Sequence, residues 1–362
     1  MKRLYTLLTS IIAAFLLVYM AHGSEQPISA DLRLYGTYID NIFQTALPES
    51  DYVTLTYLDT SYDVTSGASI FYKANLNLFS EHSDLRNHSH YLGVDYEKEV
   101  YQGKGLFYLG GKLGLRQNTP EYDPYNRRAG STYTALKYYL TETILGKVGY
   151  RVEYESYPNY QSFTFLENYG FLQFSKFLQS RTTLQVGLDA GRREYPNLNS
   201  DNGKSYAAQM TGSVKIAQSL ADLTGLQFQY LWHYAPQGIA DDQHIESGYY
   251  FAEDFLEDEY DYSSHEYQIT LKHLGPWRTM VRGTLSRENR EYNTLSVYNA
   301  DQSRRDSNIT LFLEVERKFS LPLGSFPDLA LHIEFLHRKN ESNDPYYDHS
   351  TNIFSIGTKA KF

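Results

Sequence analysis

The chain has 362 residues, a formal charge of -10, no cysteine and a mean hydropathy of -0.51. That charge argues against nucleic-acid binding, which draws its affinity from cations that neutralise phosphates, and the missing cysteines exclude disulfides and a lipoprotein anchor. Beyond the N-terminal region there is no run of eighteen apolar residues, so a helical membrane protein is excluded, while a spanning barrel, whose strands are individually only weakly apolar, is not.

The chain opens with an export signal: Lys2 and Arg3, an apolar run from Leu7 to Met20 broken only by small polar residues, and the small-residue site Ala21-His22-Gly23. Residues 1–23 are therefore expected to be a signal peptide and 24–362 a transmembrane β-barrel. Loss of Lys2 and Arg3 takes the formal charge from -10 to -12.

After the signal, apolar residues recur at period two between turn signals, and sixteen strands are predicted. Their spans are 31–43, 51–64, 69–80, 88–100, 106–117, 131–141, 145–157, 166–177, 182–195, 206–218, 223–235, 264–273, 278–290, 306–319, 328–340 and 349–362. The connections alternate between short and long, as in barrels with tight periplasmic turns and long external loops. Thr65-Ser66-Gly67-Ala68 and Gln102-Gly103-Lys104 are short; 118–130, 196–205, 236–263 and 291–305 are long. A long segment at 320–327 and a short first external loop fit this alternation poorly. Tyr157-Pro158-Asn159 and Tyr195-Pro196-Asn197 form a local repeat, each at a strand end where proline stops pairing.

Alternation also assigns the two faces. In the ninth strand Leu184, Val186, Leu188 and Ala190 oppose Gln185, Gly187 and Asp189. A charge costs about 2–4 kcal/mol at the lipid midplane, so the apolar set is expected to face lipid. The polar set predicted to line the pore is Lys73, Asn75, Asn77, Lys112, Arg116, Arg151, Glu153, Glu266, Lys272, Arg282, Glu314, His332 and Glu334. This lumen of mixed sign is compatible with an open or a plugged bore. Tyr138, Tyr150, Tyr154, Tyr230 and Tyr234 are expected in interfacial girdles.

The opening Tyr38-Ile39-Asp40-Asn41-Ile42-Phe43 and the closing Phe354-Ser355-Ile356-Gly357-Thr358-Lys359-Ala360-Lys361-Phe362, with the signal peptide, resemble bacterial outer-membrane β-barrel porins. The resemblance implies an all-β, closed antiparallel transmembrane β-barrel of about sixteen strands in the outer membrane, among lipid and lipopolysaccharide. It also implies that Phe354, Ile356 and Phe362 form the signal read by the barrel-assembly machinery. The function it implies is passive passage of small hydrophilic solutes; the alternative is a barrel serving an exopolysaccharide-export or other trans-envelope partner. A homo-oligomer is compatible with either, although the 118–130 loop, with Pro120, Pro124, Arg127 and Arg128, is unlike the acidic eyelet of a trimeric porin.

No catalytic constellation, cofactor motif or metal motif is assigned. The acidic segment Ala240–Tyr262, without lysine or arginine, lacks the ligand order of a calcium loop and reads as a solvated external loop. The 287–305 stretch carries Arg287, Arg290, Arg304 and Arg305 and reads as a basic loop able to pair with it. Of eleven histidines, His82, His88 and His90 are placed in a loop, His233 and His332 inward and His273 near a turn, which gives no hydrolase arrangement.

Overall fold

The computed structural model describes residues 28–197, 206–237, 261–295, 302–319 and 328–362. Sixteen antiparallel strands form one closed sheet in chain order, the last pairing with the first. They are β1 (Ile28–Ile39), β2 (Asp51–Thr65), β3 (Ala68–Phe79), β4 (Asn87–Val100), β5 (Gly105–Asn118), β6 (Arg127–Thr141), β7 (Ile144–Ser156) and β8 (Phe165–Phe177). The second half follows as β9 (Thr182–Glu194), β10 (Tyr206–Ala221), β11 (Thr224–Gln237), β12 (Tyr262–Gly275), β13 (Thr279–Leu295), β14 (Ser303–Phe319), β15 (Asp328–Ser342) and β16 (His349–Lys361). Closure leaves no edge strand, so the ladder satisfies the backbone without help from solvent. At the seam the backbone of Phe362 exchanges hydrogen bonds with Ala30, at 2.9 and 3.1 Å.

The strand count and order agree with the periodicity. The first strand differs. It ends at Ile39, and Asn41, Ile42 and Phe43 leave the sheet to turn into the barrel mouth, so the first long connection starts four residues earlier than alternation indicates. The expected signal peptide, segment 320–327 and nearly all of the acidic segment lie outside the described residues. Arg287, Arg290, Arg304 and Arg305 are strand residues rather than a basic loop, because β13 and β14 extend their pairing to Leu295 and Ser303. Each of the last three is held locally. Arg290 pairs with Glu288 at 2.5 Å, Arg304 with Asp306 and Arg305 with Glu291 at 2.8 Å.

The two faces of the sheet separate by chemistry. Val186, Leu188, Ile269, Leu271, Leu285 and Leu313 are exposed on the outer face, and Glu314, His332, Arg116 and Glu167 are buried on the inner one. The expected Tyr girdle residues take the outer parity: Tyr150 and Tyr154 are exposed there, while Tyr230 and Tyr234 share the face of Leu226 and Phe228. His88 and His90 also belong outside. They lie within β4, opposite Leu76 and Ala74, with the His90 ring 2.7 Å from the Tyr72 hydroxyl. The strand begins one residue before His88, so neither is a loop residue.

Inside, large rings are accommodated over glycines of neighbouring strands. A Cβ at Gly114 would lie 2.4 Å from the Tyr91 ring, one at Gly149 2.4 Å from Phe171, and one at Gly357 2.3 Å from Tyr35. Such a methyl cannot coexist with the ring where it lies. Gly114→Ala is therefore expected to destabilise the barrel by about 1–3 kcal/mol. Urea unfolding of the refolded protein in lipid vesicles measures this, and a Tyr91→Ala partner substitution should make the pair strongly non-additive.

Candidate pore lining

Along β3 to β8 the inner face alternates cations with aromatic rings. The Nζ of Lys73 lies 5.5 Å from the centre of Phe71, that of Lys112 5.1 Å from Tyr91 and that of Lys147 5.2 Å from Phe171. Period two explains the pattern: on one face, residues two apart on one strand and directly opposite on the next are neighbours, so a lysine and a ring can stack without leaving the wall. These contacts hold each ammonium against the wall by its attraction to the ring face. Lys112, Lys137, Lys147 and Arg151 line a recess of about 770 Å³ together with Asp95, Glu153, Tyr133 and Tyr169. The Tyr133 hydroxyl donates to Asp95 at 2.9 Å, so that carboxylate is already engaged.

Arginines on this side are paired with acids more tightly than the lysines are. Arg151 meets Glu167 at 2.6 Å and Glu153 at 3.5 Å, and Arg193 meets the other oxygen of Glu167 at 3.1 Å. Arg127, buried, donates from Nη1 to both oxygens of Glu155 at 3.0 and 3.1 Å, and from Nη2 to the Tyr91 hydroxyl. The several donors of one guanidinium let Arg127 serve the carboxylate and the hydroxyl together. For Lys73, Lys112 and Lys147, no carboxylate reaches ion-pair distance among the described residues. Their charge remains available to the bore.

Eight strands round the barrel from β5 lies β13, and on the wall there acids and bases are mixed. Glu266 is directly opposite Glu288, Glu314 opposite Glu334, and Glu316 opposite His332. Lys272 and Arg282 face each other across β12 and β13, with Arg282 reaching Glu314 at 2.8 Å. A second recess, of about 420 Å³, connects the two sides: Asn75, Asn77, Asn87 and Arg116 line it with Phe312 and Glu334. There Asn77 donates to Asn87 at 2.9 Å, and Asn87 donates to the Leu85 carbonyl at 3.0 Å.

All thirteen residues expected on the pore wall thus share the inner parity, and Phe354 and Ile356 stand exposed on the outer face. The same parity would have found Arg33, Asp95, Lys137 and Glu167, which belong with them. What alternation missed is an apolar filling of the mouth. Ile39, Val53, Leu55, Phe79 and Ile353 face inward and pack with Ile42 and Leu85 from two connections, with Phe43 and Tyr122 against them. These residues break the rule that apolar side chains face out, because three connections fold over the barrel end and cover them. A smaller cluster of Tyr157, Phe165, Tyr195 and Ala207 lies further round the rim.

The second cluster gives the repeated Tyr-Pro-Asn a physical meaning. Both tyrosines are buried in it, and each asparagine reaches sideways to the preceding connection. Asn159 donates to the Asp123 carbonyl at 3.1 Å, and Asn197 to the Gln161 carbonyl at 3.4 Å. The repeat therefore links successive connections at the rim.

Between β3 and β4, His82 joins two connections electrostatically. Its Nδ1 lies 3.0 Å from Asp51 and its Nε2 3.0 Å from Glu49, while Asp51 also accepts the backbone amides of Ser80, Glu81 and His82. Partial burial works against the charged ring, but the two carboxylates outweigh it and raise the His82 pKa above its ordinary 6.5. A raised histidine stabilises the fold fully below its unfolded pKa and loses that contribution as pH climbs through the folded value. The barrel is expected to melt at lower temperature at pH 8.5 than at pH 6, and His82→Gln should reduce that difference.

No family model matches the chain, and no curated protein matches it in sequence. Among solved structures it is similar in fold to OccAB1 of Acinetobacter baumannii, at 11% identity and a TM-score of 0.51 over 94% of this chain and 99% of that one. OccD3 (OpdP) of Pseudomonas aeruginosa is 10% identical, with a TM-score of 0.53 over 94% of this chain and 91% of that one. OpdL of the same organism is 9% identical, with a TM-score of 0.51 over 93% and 99%.

Proposed function

We propose that the chain is a porin-like outer-membrane channel for passive passage of small hydrophilic solutes, with a preference for small anions. The observation that carries this reading is the row of lysines stacked on rings along β3 to β7, with no carboxylate at ion-pair distance among the described residues, whereas on β12 to β15 acids and bases face one another. The free lysines give a carboxylate or phosphate successive weak contacts, strong enough to enter and weak enough to leave.

Membrane residence is supported by the outer apolar face and by the closed ladder, which leaves no backbone group needing water in lipid. The fold is shared with outer-membrane sixteen-stranded porins of the Occ/Opd family. In this reading residues 1–23 are removed on export, and Lys73, Asn75, Asn77, Lys112, Arg116, Arg151, Glu153, Glu266, Lys272, Arg282, Glu314, His332 and Glu334 line the bore. Phe354, Ile356 and Phe362 act in assembly. The chain is read as a channel, with no chemical step of its own.

Planar-bilayer recording of the purified, refolded protein tests the proposal. Discrete conductance steps with a reversal potential favouring chloride are expected in a potassium chloride gradient. A folded barrel that passes no current at any voltage, or passes only cations, overturns it.

A further inference from the structure

Near the barrel end where the chain begins and finishes, the inner face of β14 and β15 brings together Glu314, Glu316 and His332. Glu316 is the direct cross-strand partner of His332, and Glu314 lies two residues along the same face. One ligand atom from each of the three falls within 4.8 Å of the others. His332 is 5% exposed, and neither of its ring nitrogens has a hydrogen-bond partner among the described residues. A buried polar atom without a partner costs about 1–3 kcal/mol. Two such atoms on one ring call for a ligand.

The distances separate this cluster from an ordinary ion pair. Nδ1 of His332 is 3.7 Å from Glu314 Oε1, and Nε2 is 3.6 Å from Glu316 Oε2. Both separations exceed a hydrogen bond. An ion takes one imidazole nitrogen, so one of the two carboxylates lies at roughly the ligand-to-ligand spacing of a tetrahedral site and the other stays within 4.8 Å of it. His82, by contrast, meets both its carboxylates at 3.0 Å. The other carboxylate oxygens face cations: Arg282 forms an ion pair with Glu314 Oε2 at 2.8 Å, and Lys318 lies 3.6 Å from Glu316 Oε1. The two cations therefore orient the carboxylates and leave the oxygens nearer the imidazole for a ligand, as outer partners do in metal sites. Tyr35, seated over Gly357, lies edge-on to the His332 ring at 6.1 Å and holds its plane.

We propose that Glu314, Glu316 and His332 bind a divalent transition-metal ion of the zinc class on the inner wall. One imidazole nitrogen and two carboxylate oxygens suit zinc, cobalt or nickel better than calcium or magnesium, which require more oxygen ligands. The fourth position faces the bore and takes water. Glu334, opposite Glu314, adds a third carboxylate, which with Glu314 and Glu316 offsets the charges of Lys272, Arg282 and Lys318.

The test is calorimetric and does not depend on conduction. The refolded full-length barrel carrying His88→Gln and His90→Gln, which removes the adjacent outer histidine pair, is titrated with zinc chloride. One ion per barrel is expected, with micromolar affinity. Glu316→Gln and His332→Gln should each weaken binding at least tenfold, and His82→Gln should leave it unchanged. Saturation only at millimolar zinc, or affinity within twofold of the parent in the His332 variant, overturns the site. Should the His332 variant not refold, Glu316→Gln decides by the same criterion, because the amide keeps the volume of a side chain that is only partly buried.

Discussion

Replacing Arg127 with methionine is expected to cost about 3–5 kcal/mol, among the largest single losses of stability available on the inner wall. The substitution leaves Glu155 with its charge, 9% exposed at the side chain, and removes both Nη1 hydrogen bonds that hold it. Among the described residues the Tyr157 hydroxyl, at 3.1 Å, still donates to that carboxylate. The Tyr91 hydroxyl also loses its guanidinium partner, and with it part of what positions the ring over Gly114. Urea unfolding of the refolded barrel in vesicles measures the loss. Arg127→Met combined with Glu155→Leu should recover most of it, because an apolar pair no longer strands a buried charge. A cost below about 1 kcal/mol for the single variant would place the pair among weak surface bridges.

The second large effect is expected in selectivity. Lys112→Glu combined with Lys147→Glu should turn an anion-preferring channel into a cation-preferring one, and so reverse the sign of the zero-current potential in a potassium chloride gradient. Each substitution changes the local charge by two. Both lie in the recess where Lys137 and Arg151 remain and where Asp95 is held by Tyr133. Interactions between charges across a narrow, partly buried bore are screened less than on a free surface. The arginines are a useful contrast. Arg193→Gln removes one charge from a cluster in which Glu167 also pairs with Arg151, so its effect on selectivity should be smaller than that of the double lysine change, which alters the charge by four. An unchanged reversal potential in the double lysine variant would remove these lysines from the permeation path.

Much of the barrel was legible because a strand repeats every two residues. Leu184, Val186 and Leu188 alternate with Gln185, Gly187 and Asp189 for a single physical reason, lipid on one side and water on the other. That rule placed thirteen wall residues on the inner face, together with the order of sixteen strands. It failed where a residue's surroundings are set by distant chain. Ile39, Val53 and Phe79 are apolar yet lie on the inner face, because connections from elsewhere cover them inside the mouth. His88 and His90 read as loop because polar residues surround them, although the ladder with β3 holds them in strand.

Local periodicity and the cost of charge in lipid are enough to give the class of structure, the topology and the polar or apolar character of each face. Which charges neutralise each other depends on how the strands meet in the folded barrel. Arg151 and Glu167, or Arg282 and Glu314, meet across strands whose stagger alternation leaves open, whereas Lys112 and Lys147 meet rings instead. The tertiary structure also decides that His332, one inward histidine among several, lies between two carboxylates with neither nitrogen hydrogen-bonded among the described residues. Face is a property of one strand, but partnership depends on the register between strands, and register is set by the closed sheet as a whole.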